Sequence, residues 1–83
     1  MTTTTTDAAR AYVETHPHLV AYWDQYGRPV GYTSHRTDVD AENSAAAHLG
    51  EMRGNGAMIA RASFYELDPE TTTYNATGAE MEH

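Results

Sequence analysis

A chain of 83 residues with no cysteine and a formal net charge of −7 reads as one small, soluble, acidic domain. At this length roughly 60–65 % of the unfolded surface is buried on folding, which leaves room for one sheet and one or two helices but little for a deep cleft. The missing cysteines exclude disulfides, cysteine-ligated zinc and thiol catalysis, and make the cytoplasm the expected compartment.

Met1 and Thr2 to Thr6 have neither the basic region nor the apolar run of a signal peptide, and residues 1–5 are expected to be a disordered tail. Thr6 then reads as the cap of a first helix. Ala9, Tyr12, Val13 and His16 follow at i, i+3, i+4, i+7 on one face, and Pro17 ends the run. His18 to Asp24 reads as a strand with Leu19, Ala21 and Trp23 on one side and Val20 and Tyr22 on the other. Its longest apolar run is far too short to cross a membrane. Gln25 to Arg28 forms a turn in which Gly27 takes positive φ, and Pro29 to Thr37 returns as a second strand.

Asp38 or Asp40 is expected to cap a second, alanine-rich helix. Ala41, Ala45, Leu49 and Met52 run down one face of it, and Gly54 is expected to stop it at C′. Ala57 to Leu67 reads as a third strand, with Met58, Ala60, Ala62 and Phe64 on one face and Ile59, Tyr65 and Leu67 on the other. Asp68 to Thr71 has the composition of a type I turn. Thr72 to Asn75 reads as a short fourth strand. The domain is thus expected over 6–76, with 77–83 a frayed tail. The order α-β-β-α-β-β predicts a two-layer α+β fold, a mainly antiparallel four-stranded sheet with the alanine-rich helix packed on one face.

Few groups suggest chemistry. His16-Pro17-His18 could place two imidazoles near a metal, but zinc needs three or four ligands. Asp38-Val39-Asp40-Ala41-Glu42 begins like a calcium loop, yet Asn43 and Leu49 stand where glycine and a bidentate acid are required. Ser34-His35 and the Ser44–His48 pair have no nucleophile elbow to support a hydrolase. Gly54-Asn55-Gly56 follows a helix rather than opening one, so it offers no phosphate site. No catalytic residue, metal or cofactor is expected.

The charge and the aromatics say more. Residues 38–83 hold nine acids against Arg53 and Arg61, whereas residues 1–37 balance. That half would repel nucleic acid and attract a protein partner with a basic surface. Six tyrosines, one tryptophan and one phenylalanine exceed what a thin core hides. The expected partner-binding acids are Asp38, Asp40, Glu42, Glu66, Asp68 and Glu70, which steer and form charge-assisted hydrogen bonds. The expected desolvated anchors are Tyr22, Trp23, Tyr26 and Tyr65. Two alternatives stand beside this one. The second face of the first hairpin could form a homodimer interface, or His16, His18 and nearby rings could bind a metal or small ligand.

The stretches Tyr22-Trp23-Asp24-Gln25-Tyr26-Gly27-Arg28-Pro29-Val30-Gly31, Ala45-Ala46-Ala47 and Ile59-Ala60-Arg61-Ala62 lie in a strand–turn–strand–helix–strand layout. From Leu19 to Leu67, a little over half the chain, this layout resembles that of some small phage-encoded anti-CRISPR inhibitors. The resemblance implies a non-enzymatic inhibitor that binds a nucleic-acid-handling protein complex, and it carries over no functional residue.

Overall fold

The computed structural model describes residues 10–83. Residues 10–15 are helical (α1), and Pro17 ends the helix as expected. The expected tail at 1–5 and the Thr6 cap lie outside the described residues. Strand β1 (His18–Asp24) pairs antiparallel with β2 (Pro29–His35) and with β3 (Ile59–Asp68), and β3 pairs antiparallel with β4 (Thr73–Glu82). The sheet order is β2-β1-β3-β4. Helix α2 (Asp38–His48) packs on β2, β1 and β3. The fold is the two-layer α+β arrangement that the element order predicts.

Alternation along β1 sorts the core. Val20, Tyr22 and Asp24 are buried, while Leu19, Ala21 and Trp23 on the other face are half-exposed. Val20 and Tyr22 join Ala41 and Ala45 of α2 with Ile59 and Ala62 of β3, flanked by Val30, Leu49, Phe64 and Met81. The alanines leave no bulk between helix and sheet, so α2 sits close. Val20 is fully buried, which is worth about 1.5–3 kcal/mol.

Asp24 is the one buried charged side chain among the described residues. Its Oδ1 accepts from the backbone N–H of Tyr26 and of Arg28, both at 2.9 Å. The hairpin therefore closes around a carboxylate, and Gly27 takes the expected positive φ of 80°. Gln25 ties this turn to the loop before β3. Its Nε2 donates to the Gly56 carbonyl at 2.8 Å, and its Oε1 accepts from Met58 N–H at 2.7 Å.

Several local expectations are corrected. Thr37 caps α2, its hydroxyl accepting from Asp40 N–H at 3.1 Å; threonine supplies the same kind of acceptor as the expected Asp38 or Asp40, immediately before Asp38. The helix stops at His48, and Gly50, at φ 85°, makes the turn assigned to Gly54. Beyond it the chain runs back along the start of β3, with Gly50 N–H bonded to Ile59 O and Ile59 N–H to Glu51 O. Met52 therefore leaves the helix face and is exposed. Ile59 joins the core rather than the opposite face, because β3 shifts register between the partners of Trp23 and Asp24.

The largest correction concerns the C-terminus. Residues 77–83 are not frayed, since β4 reaches Glu82 and the His83 N–H donates to the Ala60 carbonyl at 3.0 Å. A register shift with Gly78 at φ 88° carries the strand past Phe64. That bulge breaks the alternation by which a strand is recognised in sequence. No helix among the described residues is long and apolar enough to cross a membrane.

Candidate docking groove

Helix α2 lies over β2, β1 and the middle of the sheet, and so leaves a channel between its first turns and β4. The channel encloses about 380 Å³. Its lining includes Phe64, Met81, Ala41, Ala79 and Thr77, together with Asp38 and Glu42 from α2 and Glu66 from β3. His18 and Tyr65 stand at its border, and Glu80 reaches it from β4. Helix period places Asp38 and Glu42 together at i, i+4. Strand alternation places Phe64 and Glu66 on the same side of β3.

The three carboxylates are not used up by neighbours. Among the described residues, Asp38 accepts only from the adjacent Val39 N–H at 2.9 Å. Among the described residues, no hydrogen bond or ion pair engages Glu42 or Glu66. Glu80 differs, because its carboxylate turns to the other face, 3.8 Å from the Arg61 guanidinium and 3.4 Å from the Ser63 hydroxyl. The groove is therefore an apolar channel walled by three solvated negative charges, a shape suited to an aliphatic stem ending in a cation.

The expected partner-binding residues divide. Asp38, Glu42 and Glu66 line the groove, while Tyr65 borders it from the opposite face of β3. Asp40 is exposed on α2 and acts on His35 instead, where its charge partly opposes the lowering of the imidazole pKa by burial. Asp68 ends β3 and holds the turn that follows, accepting from Glu70 N–H at 3.0 Å, and Glu70 is exposed in that turn. Tyr22 is no anchor, since it is buried in the core with its hydroxyl 3.0 Å from both Thr33 Oγ1 and Ser44 Oγ. Tyr26 is exposed at the hairpin tip under the Arg28 guanidinium.

Trp23 lies on the sheet face away from α2. Its indole N–H donates to Ser63 Oγ at 3.1 Å, and Arg61 stacks over the ring at 5.1 Å. Tyr32 on the same face is 72 % exposed. Helix α1 touches this face at one end, where Tyr12 meets Ser34 at 3.3 Å and the Tyr74 hydroxyl donates to the His16 carbonyl at 2.8 Å. Burial there pushes the Tyr74 phenol up, reinforced by the phenols of Tyr12 and Tyr32.

Ser44 and His48 do not form a nucleophile and base. Ser44 is held by Tyr22 and Thr33, and the His48 ring meets Tyr22 edge-on and approaches Glu51 at 3.4 Å. Arg53, then His48, hold the Glu51 carboxyl below its usual range. His16 and His18 do not converge either, because His16 stacks on Tyr12 while His18 borders the groove. Among the described residues, no group of three or more histidines or acids could hold a metal ion.

Sequence reading missed His18, Phe64, Thr77, Ala79 and Met81 as groove residues. Four of these are ordinary sheet positions. The one local signal was Met81, an apolar residue close to the end of an otherwise polar segment. Compared with known protein families, with curated proteins and with solved structures, the chain has no match, so the reading of this groove stands on its own geometry.

Proposed function

We propose that the chain is a non-enzymatic, acidic protein-binding module that docks a basic partner surface in the groove between α2 and β4. The observation that supports this is the meeting of Asp38, Glu42 and Glu66 around an apolar floor. Two elements separated along the chain supply those charges to one channel. Lysine or arginine side chains would lay their stems on Phe64 and Met81 and place their charges against the carboxylates. A partner surface that otherwise grips nucleic acid has this chemistry. Blocking it is the role implied by the resemblance to anti-CRISPR inhibitors.

An arginine-rich peptide titrated by fluorescence anisotropy tests the reading. Binding should weaken as salt rises. The double charge reversal Glu42→Arg with Glu66→Arg should weaken it by about tenfold or more. The double reversal Asp40→Arg with Glu70→Arg changes net charge equally but lies off the groove, and should have a much smaller effect. Equal losses in the two variants, or affinity independent of salt, would reject the groove.

A second reading is favoured by the sheet face that carries Trp23 and Tyr32. There α1 covers one end and leaves Tyr32 exposed, so that face could join two copies of the chain. Sedimentation at high concentration separates the readings. A dimer that Tyr32→Glu dissolves would support the homodimer, and a strict monomer would reject it.

A further inference from the structure

We propose that the partner of the groove is an extended basic segment that adds to β4 as a fifth strand. This rests on the docking reading above and names what docks. β4 is the terminal strand in the order β2-β1-β3-β4, so among the described residues one row of its backbone N–H and C=O groups has no strand beside it. It is ten residues long, free of proline and exposed at eight of those ten, with the bulge at Gly78 dividing it into two paired stretches. The opposite edge strand, β2, is shorter, begins at Pro29 and lies under α2. The groove runs beside β4, with Thr77, Ala79 and Met81 in its lining.

Charge decides the occupant. A strand placed beside β4 alternates its side chains between the two faces of the sheet. Those on the groove side would meet Asp38, Glu42 and Glu66. Those on the other side would meet Glu80 and Glu82, of which Glu80 is shared with Arg61. A second copy of this chain carries the same net charge of −7 and is repelled as a whole. The same charges that discourage self-pairing favour arginine or lysine at alternate positions. Backbone pairing would supply affinity, and the carboxylates would select for basic sequences.

The test uses the intact chain and a heptapeptide of alternating arginine and threonine. Two derivatives carry N-methyl groups on alternate residues, one set along each edge of the extended peptide. Strand addition predicts that one derivative loses about tenfold or more in affinity, while the other binds like the parent. Equal affinity for all three peptides would overturn strand addition but leave groove docking standing. Equal losses in both derivatives would also overturn it, as an effect of methylation on peptide shape. A parent peptide that does not bind would overturn both proposals together.

Discussion

Asp24 shows how a single polar side chain can hold a turn. Its carboxylate is buried and accepts two backbone N–H groups, with the exposed Arg28 only 3.7 Å away. The ion pair adds little because Arg28 is solvated. The charged acceptor matters more, and its loss leaves two amides without their partner. Asp24→Ala should destabilise the fold by about 2–3 kcal/mol in urea unfolding. Arg28→Ala should cost well under half of that. Protonation of His35 opposes folding, because burial disfavours the charged ring. It lies beside Thr33 at 2.7 Å, with His16, His18 and His48 near enough to disfavour its charge and Asp40 favouring it. Burial is the largest influence and lowers its pKa below 6.5. The unfolded chain therefore binds the proton more readily. Stability should fall as pH drops from about 6.5 through the lowered value and level off below it. His35→Gln should flatten that part of the pH profile in thermal unfolding, and an unchanged slope would show that another group is responsible.

At the scale of elements, the strongest local signals were alternation and turn chemistry. The alternation of β1, the positive φ of Gly27 and the start of β2 at Pro29 were all legible before any contact was known. The end of α2 was not. Alanines and leucine continue the helical pattern to Met52, but Gly50 breaks it so that residues 50–53 can run back against β3. Gly50 has φ 85°, and an added Cβ would also meet the His83 ring. Gly50→Ala should cost about 1–2 kcal/mol. Because the ring is movable, most of that cost belongs to the backbone, and adding His83→Ala should recover only a small part of it. Full recovery in the double variant would place the cost in the ring contact instead. β4 was the largest element misread. Its residues are polar on most positions and its bulge at Gly78 interrupts the two-residue period, so its pairing with β3 left little trace in local sequence.

For the whole molecule, the lopsided acidity was legible from counting, but its use depends on how the elements pack. A net charge of −7 in so small a body opposes compaction. Added sodium chloride should therefore raise the melting temperature while weakening the binding of basic peptides. A melting temperature that falls with salt would mean that attractive pairs such as Arg53–Glu51 outweigh the repulsion. By itself the chain order and its periodicities determined the α+β class, the hairpin, the alanine-rich helix and the faces of β1, because those follow from neighbours within a few residues. Which acids stand together, which tyrosine is core and which is surface, and that the last residues form an edge strand were decided only in the tertiary structure. Those outcomes depend on contacts between positions such as Asp38, Glu66 and Met81, and local pattern carries no information about which distant segments will pair.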